Sequence, residues 1–527
     1  MMVAATLHLP SINYLAIAPE AILLIGAVLI VGASSVTRGG LRQITATTLT
    51  MLASAGALIS ALIQWHSITA RGPLSTIAGA IAMDGFSSFF TITIASALLL
   101  TTLLGHDYLV REGISTTEYH VLALASATGA VIMGQAADLM VLFVALEILS
   151  ISLYVLAAFN PRRSESGEAA LKYFLLGGFS SAIFVYGIAL TYGATGSTNF
   201  RTISHYLSNV DLVHPGLLYA GMGLVLVGFA FKVAAVPFHL WTPDVYQGSP
   251  TPVTGFMASI AKVGAFAGLL RVLDVVFVRQ MAVWQPIVYA LAIASLVLGA
   301  LVSLRQRNIK RMLAYSSINH TGFILLGVEA GTIRGLSASL FYLFTYAVMT
   351  VGTFGIVSLL GDRGDGDHDL TRYRGLARRQ PLLGGCLAVL LLAQAGIPFT
   401  TGFIAKFSVV LASIAAGSWP LALIAMITAG IAVSFYLHVV LLTLSPAPTD
   451  HDPTRGEDSG ATPATIRANR SVLLEDVEAQ VLTPLRVTMA PGTALAIAVS
   501  TAVTIVFGIW PAPLLDFATA AARSLIS

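Results

Sequence analysis

Apolar runs long enough to cross a bilayer follow one another along most of the chain, and this leaves few folds open to it. Inside hydrocarbon, every backbone N–H and C=O must be satisfied without water, so only helices and closed barrels span it. The runs reach about 18 residues or more, the length of a helical span rather than of a barrel strand. The fold expected is therefore an all-α integral membrane protein. Composition agrees: only 10% of the 527 residues are charged, against about 25% in soluble domains. A net charge of +3 gives no reason to expect a nucleic acid partner. The single cysteine, Cys386, excludes a disulfide framework or a cysteine-ligated cluster held by this chain alone. The first residues lack the basic region of a signal peptide, so Pro19-Glu20 reads as the opening of a retained first helix.

The pattern predicts about fourteen transmembrane helices, near 18–36, 43–64, 82–104, 118–135, 138–158, 168–194, 216–238, 250–277, 283–303, 309–329, 335–360, 381–413, 418–444 and 490–511. The stretch 381–413 is too long for one straight span and contains Gly396 and Pro398, which predicts a broken helix. Arginine and lysine concentrate in the odd-numbered connections, 19 against 6 in the even-numbered connections and the C-terminal tail. That bias puts the odd connections in the cytoplasm and both termini on the other side. A miscount by one span would scramble it.

The remaining three basic residues, Lys232, Lys262 and Lys406, fall inside apolar segments. A lysine at mid-bilayer depth costs about 2.5–3.5 kcal/mol on insertion scales, so intramembrane ionisable groups mark ion pathways by default. Arginine stays charged in any protein setting, whereas a buried lysine can release its proton, as a proton carrier must. Glu147, mid-span in DLMVLFVALEILSISLYVLAAF, is the expected ion-pair partner of Lys232. The plainer alternative is a static buried pair that only fixes helix packing. Pro237 should break the helix about one turn beyond Lys232 and expose carbonyls to a hydrated cavity, or else be an ordinary packing kink. Pro398 and Lys406 repeat the combination of breaker and lysine. Two interrupted helices in corresponding halves point to an inverted repeat with ion sites near the midplane. The halves would be 118–277 and 283–444, five helices each, after an N-terminal three-helix segment at 1–117. A polar cytoplasmic connection at 445–489, then a last transmembrane helix and tail at 490–527, complete the division.

His239, just past Pro237, and His320, in the polar run YSSINHTG, could relay protons between lysines or be hydrogen-bonded packing residues. Glu147, Lys232, Lys262, His320 and Lys406 are expected to form one connected file. The acidic run GDRGDGDHDL at 361–370 lacks the closing glutamate of a calcium hand and reads as a solvated connection. Asp84, Glu20 and Asp244 lie near span ends, where water should reach them. Within 445–489, SVLLEDVEAQVL has helical apolar spacing suited to a membrane surface, or is plain linker.

FKVAAVPFHLWTPDVYQGSPTPVTGFMASIAK at 231–262, NIKRMLAYSSINHTGF at 308–323 and GIPFTTGFIAKF at 396–407 together resemble the antiporter-like subunits of respiratory complex I. The same motifs are similar to subunits of multisubunit sodium/proton antiporters. DVYQGSPTPVTGFMA resembles the N type of bacterial NADH–quinone oxidoreductase rather than the L or M type, and a lysine rather than glutamate at position 406 fits the N or L type. The likeness runs from about 80 to 444. It implies fourteen helices, two inverted five-helix repeats with broken helices, and proton translocation with no redox centre in this subunit. Motif by motif, it assigns Glu147 to the family's glutamate, Lys232 to the broken-helix lysine, Lys262 to the central lysine and Lys406 to the lysine of the second broken helix. It further implies FMN, iron–sulfur clusters and quinone in other subunits. The expected partners are a neighbouring antiporter-like subunit M, small subunits such as K, and lipid, in a bacterial inner membrane. The polar stretch at 445–489 is longer than the family leads one to expect. A gradient-driven cation/proton antiporter subunit is the alternative, and a scaffold with vestigial lysines the weaker third reading.

Overall fold

The computed structural model describes residues 11–114, 116–210, 215–361, 364–446 and 489–526. The interior of the 445–489 connection, SVLLEDVEAQVL included, lies outside the described residues. Helices dominate: α1 Ala18–Val36, α2 Gly39–Arg71, α3 Gly85–Glu112, α4 Thr116–Gln135, α5 Leu139–Ala157, α6 Ser164–Thr195, α7 Phe200–Asn209, α8 Gly216–Lys232 and α9 Trp241–Gly248. Next come α10 Thr251–Val276, α11 Met281–Ser303, α12 Ile309–Glu329, α13 Ile333–Leu360, α14 Pro381–Ala395, α15 Thr401–Ala415, α16 Trp419–Leu444, α17 Pro491–Ile509 and α18 Ala512–Ile526. A short antiparallel hairpin, β1 Leu74–Thr76 with β2 Ile81–Met83, joins α2 to α3.

Local chemistry sets many of the helix starts. Asp84, Asp138, Asn199, Asn308 and Thr332 each accept a first-turn backbone N–H in their side chains. Proline opens α1, α14, α16 and α17, where its missing N–H costs nothing. Among the described residues, ten helices are long and apolar enough to cross a membrane, and α8, α14 and α15 are shorter apolar helices.

Burial orders these helices into an axis and a rim. α10 is enclosed on all sides, α12 is buried along nearly its whole length, and α3 and α13 are mostly buried. α1, α2, α5, α6 and α16 turn broad apolar faces outward. The axis is polar for its depth: π-helical turns at Met257–Ala261 and Val272–Val276 interrupt α10 on either side of the segment from Lys262 to Arg271.

Two helices are broken. After α8 the chain turns through Ala234 at φ 58° and a cis Val236–Pro237 bond before α9. Between α14 and α15 it turns through Gly396 at φ 90° and Phe399 at φ 66°. The first break begins directly after Lys232 rather than a turn beyond it.

Both ends of the described chain meet at the hairpin. The Asn13 backbone N–H donates to Thr76 Oγ1 (2.8 Å), and Phe86 N–H donates to Ser524 Oγ (3.0 Å). Ser524 belongs to α18, a helix in what the sequence reading treated as a tail; it buries Leu514, Ala518, Ala521, Ala522 and Leu525.

Candidate functional site

Each break has a lysine beside it. Lys232 is the last residue of α8. Lys406, one turn into α15, sends its ammonium back to Ala395 O (2.8 Å), the last carbonyl of α14. The Lys406 ammonium thus sits at the negative, C-terminal end of a half-helix, where carbonyls favour positive charge. The carbonyls around the first break are taken by protein groups rather than opened to a cavity. Thr321 Oγ1 donates to Val233 O (2.7 Å) and Trp241 Nε1 to Phe231 O (3.0 Å).

Lys232, 7% exposed, donates to Tyr154 OH at 3.3 Å. Its ammonium lies 5.3, 5.5 and 5.6 Å from the ring centroids of Tyr154, Tyr173 and Phe231. Aromatic faces attract a desolvated cation without fixing it in an ion pair. The direct Glu147–Lys232 pair expected from sequence is not formed. Tyr154, which holds the lysine, is seven residues along α5 from Glu147, about 10 Å of helix. Glu147 is half-buried and accepts instead from Ser181 of α6.

Lys262, 2% exposed on enclosed α10, has only neutral oxygens for partners. It donates to Ser317 O (2.7 Å), Ser317 Oγ and Thr321 Oγ1 (3.0 Å), and lies 5.3 Å from the Tyr346 ring. Tyr346 OH in turn donates to Ser317 Oγ (2.8 Å), and its ring lies 4.9 Å from that of His320. His320 is held at both nitrogens, Nδ1 by Tyr342 OH (2.7 Å) and Nε2 by Tyr436 OH (3.0 Å). Tyr436 also reaches Ser316 and donates to Gln394 Oε1 (3.3 Å). Gln394 precedes Ala395, the acceptor of Lys406. Hydroxyl, imidazole and amide groups therefore line the way from Lys262 past His320 to the break beside Lys406, with a ring contact rather than a hydrogen bond between Tyr346 and His320. On the other side, Thr321 links Lys262 to Val233, next to Lys232. Among the described residues no carboxylate pairs with Lys232, Lys262 or Lys406. Glu147 and His239 stand apart from this network. His239 is buried, with Nδ1 unpartnered.

With this geometry in place, known proteins can be compared. The membrane-domain family described as NADH:quinone oxidoreductase/Mrp antiporter matches residues 136–432. NADH-quinone oxidoreductase subunit N of Mycobacterium tuberculosis is 38% identical over an alignment of 561 positions, gaps included, covering 98% of this chain and 99% of that one. The chain belongs to this family. Among solved structures, a chain of respiratory complex I from Thermus thermophilus superposes with a TM-score of 0.74 at 32% identity, covering 94% of this chain and 98% of that one. A chain of the Mrp complex from Dietzia has the same fold, with a TM-score of 0.79 at 21% identity over 98% of this chain and 97% of its own.

This member of the NADH:quinone oxidoreductase/Mrp antiporter family holds a second buried cluster, which sequence reasoning missed. The run 361–370 is solvated only in part: Gly366 and Asp367 are exposed, but Asp365 is 0% exposed and His368, three residues on, is buried. Asp365 accepts from Thr251 N–H (3.0 Å) and Thr251 Oγ1 (2.7 Å), so it caps the start of α10. It also meets Lys310 (3.3 Å), Arg163 (3.2 Å) and His368 Nε2 (2.8 Å). Burial by itself would raise this carboxyl, but Lys310, His368 and Thr251 together hold it well below the ordinary carboxylate range. Lys310, counted from sequence as a loop residue, is fully buried. Its signal was present: Lys310, Ser317 and Thr321 recur at helical spacing on one face of α12. Beside the cluster opens a cavity of about 300 Å³ lined by Arg163, Lys172, Asp244, Arg311 and His368. Asp244 is partly exposed there, bridging Lys172 (2.8 Å) and Arg311 (2.7 Å).

Asp84 and Glu20 are not water-facing. Asp84 takes both guanidinium nitrogens of buried Arg271 (2.8 Å each) while capping α3. Glu20 is buried between α1 and α4.

Proposed function

We propose that this chain is a proton-translocating membrane-arm subunit of an NADH–quinone oxidoreductase. In this reading, quinone reduction elsewhere in the complex drives protons through Lys232, Lys262, His320 and Lys406, with Glu147 and His239 at the edge of the path. The observation that carries the proposal is the state of the lysines. Three are buried, none has a carboxylate partner among the described residues, and hydroxyls and an imidazole that can exchange protons line the space between Lys262 and Lys406. A packing ion pair would need a fixed counter-anion. A carrier needs neutral partners that accept its hydrogen bonds in one state and tolerate its discharge in the other. The charged cavity beside Asp365 serves as a water-filled mouth near the start of α10.

The subunit works as part of an enzyme complex, and we assign it no redox group of its own. FMN, iron–sulfur clusters and quinone belong to its partners, among them an M-type neighbour and a small K-type subunit in a bacterial inner membrane. Both termini share one side in this reading, supported by the meeting of Asn13 and Ser524 at the hairpin, and the arginine bias puts that side outside the cytoplasm. The two broken helices support a pair of inverted five-helix repeats at 118–277 and 283–444.

The test is the complex purified with its native partners and reconstituted into vesicles. NADH oxidation should acidify the lumen, and Lys262→Ala should remove most of that signal while flavin content stays normal. Lys232→Arg should also pump poorly, because arginine does not release its proton. Sodium-gradient-driven proton exchange that needs no NADH would favour the antiporter reading instead.

A further inference from the structure

Away from the lysine path, side chains of α1, α2 and α4 converge around Ala16 O, and three of them each keep an unpartnered acceptor oxygen. These oxygens are Glu20 Oε1, Gln64 Oε1 and Gln135 Oε1, on side chains that are 7%, 0% and 0% exposed. The amide orientations are fixed by their neighbours. Gln64 Nε2 donates to Leu15 O (2.8 Å) and Ala16 O (3.0 Å). Gln135 Nε2 faces Ala16 O and Glu20 Oε2, both at 3.4 Å. Flipping either amide would set its oxygen against two acceptors, so both Oε1 atoms are acceptors with nothing to accept. Every N–H of the group is already spent on a carbonyl or on Glu20. A buried polar atom left without a partner costs about 1–3 kcal/mol, and three on side chains that converge around Ala16 O would destabilise the site strongly. Ser60 Oγ, one turn before Gln64 on the same face of α2, is buried and unpartnered too. Gln135 is also the last residue of α4, whose carbonyl end favours positive charge.

We infer that Glu20, Gln64 and Gln135 bind a small, hard monovalent cation of the sodium class. One carboxylate balances one positive charge, and two amide oxygens complete an all-oxygen set that hard cations prefer. A divalent ion would leave a buried net charge. The site lies at the start of α1, near the hairpin end, where Asn13 and Thr76 tie the chain to β1. The cation would bind the ends of α1, α2 and α4 to one another.

The test uses the intact complex in detergent, with NaCl titrated against choline chloride at constant ionic strength. Hydrogen exchange is followed over residues 11–36. At ten times its dissociation constant, sodium should slow exchange through local opening about tenfold. Glu20→Gln and Gln135→Leu should abolish the effect, while Lys232→Ala should keep it, which separates this site from the proton path. Gln135→Lys, carrying its own ammonium, should assemble and show protection that ignores sodium. Protection that follows pH in sodium-free buffer and ignores NaCl in the wild type would mean a proton site and overturn the inference. So would sodium-dependent protection that survives Glu20→Gln or persists in Gln135→Lys.

Discussion

Asp365 shows how much one loop carboxylate can hold. It pairs with two cations, Lys310 and Arg163, from a fully buried position, and it caps the helix that carries Lys262. Its φ of 54° lies in the left-handed region, which asparagine tolerates better than most residues. Asp365→Asn therefore removes the charge with little backbone penalty. It should destabilise the subunit by about 3–5 kcal/mol, the cost of a broken buried pair, read as a lower unfolding temperature of the assembled complex. The pH dependence has a definite sign. A carboxyl held below its ordinary value of 3.8 contributes stability above that value and loses it as the pH falls further. The wild type should thus lose stability to acid below about pH 4, and Asp365→Asn should lack that part of the loss. An asparagine variant as stable as wild type and equally acid-sensitive would show that Asp365 is not the holding group.

The second broken helix depends on close approach. A Cβ added at Gly402 would lie 1.8 Å from Ala393 O, so α15 and α14 touch there through backbone. Lys406 is one turn further on and bonds Ala395 O two residues from that contact. Gly402→Ala must push the half-helices apart and draw the ammonium off its carbonyl. Overpacking of this kind costs about 1–3 kcal/mol. Pumping should fall more than assembly does, measured by lumen acidification against subunit content. Gly396 repeats the constraint from the other side: its φ of 90° excludes most side chains, and a Cβ there would press on Lys406 Cδ at 2.9 Å. Sequence showed this break because Gly396 and Pro398 are read directly from local chemistry. It did not show that Lys406 would address the C-terminus of α14, since the side chain reaches backward across the turn.

The closing helix α18 ties the molecule together late in the chain. It packs on α3 and α13, and its Ser524 accepts the Phe86 N–H at the start of α3. Truncation after residue 511 should sharply lower the amount of subunit recovered in the complex, while deletion within 451–485 should be tolerated better; equal recovery from both would contradict this. The helical segments were legible because each long apolar run must hydrogen-bond within itself in a bilayer. The lysines were legible as anomalies within those runs. What escaped was tertiary: Asp365 looks solvated in a Gly-Asp-rich loop, and only the folded chain shows it beneath α6, α10 and α12. Glu147 and Lys232 were paired on charge alone, whereas Tyr154 lies on the same helix and reaches the lysine first. Glu20 and Asp84 looked exposed because they sit near span ends, but the hairpin and α18 cover that end.

The full enclosure of α10 has a consequence for how this protein responds to its membrane. Bilayers of different thickness act on helices that touch lipid, by tilting them or stretching the acyl chains around them, at a cost of fractions of a kcal/mol per ångström. α1, α2, α5 and α16 offer such surfaces. α10 offers none, and Lys262 rides on it. Changes in acyl-chain length therefore act on the rim and reach the central lysine only as strain passed through side-chain packing.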